Sequence, residues 1–479
     1  MLFNSFEYLV FLPIVFLLYW NACKSGRSKN ILLIGASYIF YGWWSFRLLW
    51  LIIMVSAVAY VGGIVVASRK STLAVRRAML TAVVVLNIGI LVAFKYYGFF
   101  ASSFVRVLNA IGFTPDIPTL NLILPVGISF YSFQAISYVI DVYRRKIPAT
   151  TDITAFFAYI CFFPQLVAGP IERASNILPQ FLRDKRRFSY KRGKSGMQLI
   201  LWGLFKKMVI ADNAANAVNT IFSQWETIGT INLWIGAVLF SFQIYGDFSG
   251  YSDIATGSSR LFGIDLMKNF NLPYFSHDIV EFWKKWHISL TSWFRDYLYI
   301  PLGGNRKGRK KEIRNTIIVF IVSGLWHGAN FTYILWGAYH ALLYVPAKFL
   351  RKANTGNDNY TPRKPTFFKE AFWMGITFLL VMVGWVIFRA ETSSDAVRYI
   401  ISMFSNYIPA DGIIGKTPLL WCAVLMLIEW RTRSNDNPLA FSDSGIMRNT
   451  YARWVSYIAL FLICLFFAGS PQEFIYFRF

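Results

Sequence analysis

Two histidines, His287 and His327, close off the stretch FWKKWHISLTSWFRDYLYIPLGGNRKGRKKEIRNTIIVFIVSGLWH that begins at Phe282. Imidazole titrates at about 6.5, so a buried, neutral ring suits general-base work. His327 stands in SGLWHGAN, at the end of an apolar segment between Trp326 and Gly328. An ionisable group at membrane depth is costly to keep and points to function. The plainer reading is a neutral histidine bonded to a neighbouring helix. Gly328 would let a substrate come close to the backbone. His287 falls in a segment that reads as one amphipathic helix. Phe282, Trp286, Trp293 and Tyr297 form an aromatic stripe, and His287, Thr291 and Arg295 lie beside it at four-residue spacing. The stripe reads first as packing, and His287 alone is as compatible with structure as with catalysis. His277 and His340 read as structural. Asp247, Tyr251 and Asp253, and separately Glu172 with Arg173, are polar groups beside apolar runs that could touch substrate or simply join helices.

Other chemistries fail on spacing. Gly193-Lys194-Ser195 echoes the end of a P-loop, but Phe188 occupies the position of the first glycine. There is no HExxH, and neither His277 nor His287 has an aspartate five positions on. No strand context supports a nucleophile elbow. Cys23, Cys161, Cys422 and Cys464 form no metal-type pair and no disulfide framework, so no metal site is expected.

The groups must be positioned by helices in a bilayer. Of the 479 residues, 56% are hydrophobic and only 15% charged, and mean hydropathy is +0.45. Repeated apolar runs therefore read as one polytopic membrane domain rather than two or three soluble ones. The net charge of +24 is bunched between those runs, as the positive-inside rule produces, which argues against nucleic acid as a partner and leaves lipid or an acidic cytosolic donor. Phe6 to Trp20 has no basic residues before it and reads as a retained first span. Ile31–Phe46, Leu48–Ala67 and Met79–Phe94 follow, then an interfacial helix Lys95–Val107, an outside loop Thr114–Thr119 and the run Ile123–Val142. Ile153–Gly169, with Pro164 inside and basic residues beyond both ends, reads as re-entrant. Met197–Ala211 reads as a tilted helix in which Lys206 and Lys207 snorkel towards an interface. Leu233–Gly246 runs on into the glycine-rich DFSGYSDIATG. Thr316–Trp326 and Tyr333–Val345 form a hairpin broken near His327 and Gly328. Lys348–Lys369 reads as an exposed link, and Phe372–Phe388, Leu419–Ile428 and Val455–Phe467 close the chain. The total is about ten to twelve crossings.

Five ordered motifs carry a resemblance over nearly the whole chain: PVGISFYSFQAISYVIDVYR from Pro125, FFPQLVAGPIER from Phe162, GYSDIATGSSRLFG from Gly250, NFNLPYFSHDIVEFWKKWHISLTSWFRDYLYIPLGGNRKG from Asn269 and GLWHGANFTYILWGAYH from Gly324, with the ending FIYFRF. The chain resembles the membrane-bound O-acyltransferase family, in its alginate O-acetyltransferase branch. That resemblance implies an all-α ring of tilted helices, with re-entrant and interfacial helices around a central tunnel. It also implies a single acyltransferase domain over residues 1–479 with its catalytic core at about 121–345. His327 matches the family's catalytic histidine and His287 its second histidine. Trp326, Gly328, Trp286, Arg295, Asp253 and Glu172 become candidates for binding substrate or lining the tunnel. No permanently bound cofactor is implied. The donor would be acetyl-CoA or an acyl carrier protein thioester. The acceptor would be an exported polysaccharide, reached across the bacterial inner membrane through a periplasmic SGNH-hydrolase-like partner. Lys284 and Lys285 depart from the family's usual arginines, keeping charge but losing bidentate geometry. Transfer of D-alanine to a cell-wall polymer is the neighbouring enzyme reading. A transporter with a histidine proton relay is the reading from another class, weakened by the lack of an internal repeat.

Overall fold

The computed structural model describes residues 1–113, 125–167, 169–355, 367–409, 412–441 and 448–475. The expected loop Thr114–Thr119, the start of the Ile123 run, the middle of the Lys348–Lys369 link and the last four residues of FIYFRF lie outside them. Among the described residues every regular element is helical. Helices Gly26–Ala67, Leu73–Ala110 and Phe368–Arg389 are long and apolar enough to cross a membrane, and Phe6–Ala22, Ile153–Leu166 and Thr450–Phe466 are shorter apolar helices. Large apolar side chains point outward along them, among them Phe6, Leu9, Trp43, Trp50, Phe372 and Trp373, as suits a lipid-facing surface. The chain is an all-α polytopic membrane protein. Its contacts group into two compact units, Met1–Ile200 with Ile254–Met267, and Leu201–Asp253 with Lys268–Phe479.

In the first unit, close helix packing depends on small residues. A Cβ on Gly63 would sit 2.5 Å from the Tyr138 ring, so the Leu49–Ala67 and Ile128–Tyr143 helices approach as closely as glycine permits. The Ile153–Gly169 segment is broken as expected. Its helix starts on the Asp152 cap, ends at Cys161, passes through Phe162 in non-helical geometry and resumes as Phe163–Leu166. Pro164 falls in the first turn of the second piece, where a missing N–H costs nothing. The polar groups freed by the break are met inside the protein: Phe163 N–H donates to Ser37 Oγ at 3.0 Å, and Gln165 Nε2 to the Tyr159 carbonyl at 2.6 Å.

Three expectations about the second unit need correction, and one about the first. The Phe282–Tyr297 segment is not one amphipathic helix. It is two short helices, Ile279–Lys285 and Ile288–Phe294, followed by a π-helical turn Arg295–Tyr299. Lys206 and Lys207 do not snorkel; they are 3% and 0% exposed. The π-helical turn Phe205–Ala211 that carries them turns less per residue than an α-helix, so adjacent lysines share the inward face. The Lys348–Lys369 link is helical at both ends, since one helix continues to Thr355 and the next begins at Phe367. The interfacial helix expected from Lys95 instead continues the Leu73–Leu91 helix through a π-turn into Tyr97–Ala110.

The element that presents His327 is a hairpin of Arg309–His327 and Phe331–Thr355. Its two helices pack backbone to backbone. A Cβ on Gly324 would land on the Tyr333 carbonyl, and one on Gly337 would land on the Phe320 carbonyl. At the opposite end of the hairpin Lys348 pairs with Glu312 at 2.7 Å. The hairpin is thereby clamped at a charged base and closed by glycine contact near His327.

Candidate active site

His327 is the last residue of its helix and is 4% exposed. Its ring lies edge-on to Trp326, Trp336 and Phe388, at centroid distances of 5.0, 5.2 and 5.4 Å. These rings wall the imidazole in an apolar cup. Gly328 has an extended backbone open to any residue, with φ −175°. The ring of Tyr333 is what demands glycine there, because a Cβ would overlap it. Tyr333 packs in turn on Phe388 at 4.8 Å, tying the break in the hairpin to the His327 cup.

His287 is reached from a different direction. It occupies the junction between the two short helices with φ +43°, one of three non-glycine residues with positive φ among those described. A non-glycine side chain in that region stores strain that surrounding contacts must hold, a pattern concentrated at functional sites. The contact that holds it is Asn269. Asn269 Oδ1 accepts from Ser289 Oγ at 2.8 Å and lies 3.0 Å from His287 Nδ1, while its Nδ2 donates to Ser252 Oγ at 3.2 Å. The Asn269 carbonyl also accepts the Ile288 N–H at 2.9 Å. An amide oxygen has no proton to give, so Nδ1 of His287 carries the hydrogen and Nε2 the lone pair. Burial pushes this imidazole down to about 3, so it is neutral at physiological pH. Replacing Asn269 with Ala should release the tautomer and the strained backbone together. The expected result is a roughly tenfold or greater fall in kcat, equivalent to about 1.4 kcal/mol, with Asn269→Asp closer to wild type; acyl-transfer kinetics on both variants check it.

The structure brings His327, His287 and Trp326 together. Trp326 is the shared neighbour, 5.0 Å from His327 and 6.0 Å from His287. Trp286 lies one layer out, tilted against Trp385 at 4.8 Å and edge-on to Phe270 at 5.1 Å. Arg295 is not brought in. Its side chain is 64% exposed and engages Asp296 at 2.9 Å, because the helix break at His287 ends the four-residue spacing that linked them in the sequence. Asp253 belongs to a charged group in the same unit as the histidines, paired with Lys206 at 2.5 Å; Lys206 also donates to Ser249. Glu172 is in the other unit, fully buried, and accepts the Met267 N–H at 2.5 Å and Asn176 Nδ2 at 2.8 Å. Burial raises its carboxyl to about 7, against the opposing pull of those hydrogen bonds.

Residue types alone gave no notice of Asn269, which looks like an ordinary loop residue; His340, read as structural, packs on Trp336 at 5.0 Å. The FIYFRF ending, legible in the sequence only as a family motif, also packs here. Phe474 packs against Tyr251 at 4.5 Å and Phe248 at 5.8 Å, and Phe248 stands edge-on to His287 at 4.6 Å. Among the described residues no cluster of His, Cys, Asp and Glu has the makings of a metal site.

Comparison with known proteins gives the same direction. Residues 142–384 match the membrane-bound O-acyltransferase family. The chain is 42% identical over 408 residues to the probable alginate O-acetylase AlgI of Pseudomonas putida, covering 85% of this chain and 80% of that protein. It is 41% identical over 408 residues to the probable alginate O-acetylase AlgI of Pseudomonas aeruginosa, covering 85% and 75%. It is 31% identical to the peptidoglycan O-acetyltransferase of Helicobacter pylori, over 100% of this chain and 98% of that protein.

Proposed function

Because this chain belongs to the membrane-bound O-acyltransferase family and is an O-acyltransferase, we propose that it moves an acetyl group from a cytosolic thioester across the bacterial inner membrane for O-acetylation of an exported, alginate-like polysaccharide. The observation that carries the reading is the His327 cup: an imidazole held at a helix end by three aromatic rings, with a second, tautomer-fixed imidazole sharing its Trp326 wall.

In the proposed reaction the acceptor hydroxyl gives its proton to His327 as the oxygen attacks the thioester carbonyl. The C–S bond breaks, and the thiolate leaves and takes up a proton, so an ester and a free thiol result. In the variant of this route, His327 itself attacks, becomes acylated and passes the acetyl group on. His287 offers Nε2 as acceptor to a proton or a polar group in transit. The donor is acetyl-CoA or an acylated carrier protein, and a periplasmic SGNH-hydrolase-like partner would receive the acetyl group for delivery to the polymer. The positive charge of the chain is assigned to membrane orientation and to an anionic donor rather than to nucleic acid.

A second acceptor has an observation in its favour. The Helicobacter pylori relative named for peptidoglycan aligns along the whole chain, whereas the alginate relatives align over 85% of it. The discriminating experiment is acetyl-ester analysis of exopolysaccharide and peptidoglycan from cells with and without the gene. Loss of acetyl from exopolysaccharide alone supports the first acceptor and loss from peptidoglycan alone the second. Unchanged acetylation of every envelope polymer would sink both.

A further inference from the structure

Two cationic segments of the first unit, Lys24–Asn30 and Arg183–Lys191, have no part in the proposed reaction. Lys24, Arg27, Arg183, Lys185, Arg187 and Lys191 are exposed, and Asp184 is the one acidic residue in either segment. Membrane orientation asks only that such residues stay on one side of the bilayer. It does not ask that two basic segments far apart in the chain be fastened together, and here they are. Gly26 N–H donates to Asp184 Oδ1 at 3.2 Å, and Arg186 Nη2 donates to the Gly26 carbonyl at 3.1 Å and to Asn30 Oδ1. Asn30 Nδ2 donates to the Phe181 carbonyl at 3.0 Å, and Lys29 Nζ to the Arg186 carbonyl at 2.9 Å. The backbones touch as well: a Cβ on Gly26 would fall 2.6 Å from the Arg183 carbonyl oxygen.

The fastening gathers positive charge without neutralising it. Lys29 and Arg186 are 5% and 8% exposed and bond to carbonyl oxygens, so among the described residues neither meets a carboxylate. Lys29 also stands over the Trp20 ring at 4.3 Å. Asp184 is engaged by Gly26, and Asp152, which feels Arg27, caps its own helix through the Ala155 N–H. Six exposed cations thus surround two buried ones, a concentration of like charge that costs free energy unless an anion shares the surface.

The place of the patch says which anion. Gly26 opens the membrane-crossing helix Gly26–Ala67, so residues bonded to its first turn lie at the bilayer surface. Phe188 carries the patch into the apolar surface: it is exposed, and its ring stands edge-on to Phe16 at 5.8 Å and Trp20 at 5.7 Å. Leu17 and Leu18, which follow Phe16, are exposed too, as is Tyr190. Arginine and lysine suit a phosphate, and rings beside them suit the acyl boundary below it. A soluble phosphate would have no use for the rings. We propose that these two fastened segments form a binding site for the headgroup of an anionic phospholipid in the cytosolic leaflet. Arg186 and Lys29 hold the site in shape, and Phe188 and Tyr190 seat it at the membrane boundary.

The test uses the full-length protein in detergent and native mass spectrometry with phosphatidylglycerol or phosphatidylcholine added. Wild-type protein should bind phosphatidylglycerol roughly tenfold or more tightly than phosphatidylcholine. Arg183→Gln, Lys185→Gln, Arg187→Gln and Lys191→Gln together should bring that ratio below about twofold. Their lipid-free melting temperature should stay at the wild-type value, since all four side chains are exposed. Arg186→Met should also flatten the ratio, because the exposed charges remain but are no longer held together. If Arg186→Met does not fold, the fourfold variant carries the test alone. Glutamine at Arg306, Lys307, Lys310 and Lys311 removes as much exposed charge from the other unit and should leave the ratio unchanged. An equal loss there reduces the effect to overall charge and overturns the site, as does wild-type protein with no lipid preference. Millimolar inorganic phosphate should not displace the lipid; full displacement overturns the lipid assignment in favour of a soluble phosphate. No acyl donor enters the experiment, so its failure leaves the acyl-transfer reading standing.

Discussion

Substitution of His327 by alanine is expected to lower kcat/KM for acyl transfer by about a thousandfold, which corresponds to ~4 kcal/mol of lost transition-state stabilisation. The expectation follows from placement. The ring sits at a helix end within 5.0–5.4 Å of three aromatic side chains. His287 is the nearest imidazole across Trp326, but its Nδ1 proton and ring orientation are set by Asn269, so it cannot swing into the place of His327. Alanine also opens a cavity against Trp336 and Phe388, so a second variant is needed to separate chemistry from packing. His327→Gln keeps most of the volume and loses the base; it should be as inactive as alanine while melting closer to wild type in detergent. Wild-type turnover in either variant would remove His327 from the mechanism. A covalent acyl-histidine route makes the further demand that donor alone labels wild-type protein with radioactive acetyl and labels neither variant.

The largest stability effect is expected at Lys207. One ammonium faces two carboxylates, Asp212 at 2.8 Å and Asp247 at 2.7 Å, and donates to the Gln472 carbonyl at 3.0 Å. The three side chains are 1%, 2% and 4% exposed. Asp247 also accepts the Ile475 N–H at 2.6 Å, so the same cluster tethers the end of the chain to the helices beneath it. Breaking a buried pair by removing one partner leaves charge without compensation and typically costs ~3–5 kcal/mol. Lys207→Met should therefore destabilise the protein by about that amount, seen as a lower melting temperature in detergent. Loosening of the terminal segment should follow as early proteolytic cleavage near Gln472. Because Phe474 reaches His287 through Phe248, activity should fall before the rest of the unit unfolds. Replacing Asp212 and Asp247 with Asn and Leu in the Lys207→Met background should restore much of the stability, since the stranded carboxylates are then gone. A Lys207→Met protein with wild-type melting and wild-type proteolysis would show that the cluster carries no such weight.

The contrast between Lys207 and His327 shows how far residue types alone can be read. His327 stands out as a candidate because a polar residue at the end of a long apolar run has few alternative explanations. Lys206 and Lys207 invited the opposite reading, since paired lysines in an apolar helix usually reach for an interface. What reversed it was a π-helical turn, a backbone feature with no dependable sequence signal, which set both ammonium groups inward towards carboxylates from distant parts of the chain. His287 tells the same story. Its i+4 spacing to Thr291 and Arg295 implied a shared face, and a single residue at φ +43° ended that face by breaking the helix.

By itself the sequence determined the membrane class, the helical architecture and the family motifs, because each rests on composition or on residues within one segment. Only the tertiary structure decided which groups share a site. It joined His287 to His327 through Trp326, gave Asn269 the task of fixing a tautomer, excluded Arg295 and placed Glu172 in the other unit. It also put His340 beside Trp336. The physical reason is that hydrogen bonds and ring contacts act over a few ångströms in space, and the partners lie up to scores of residues apart along the chain.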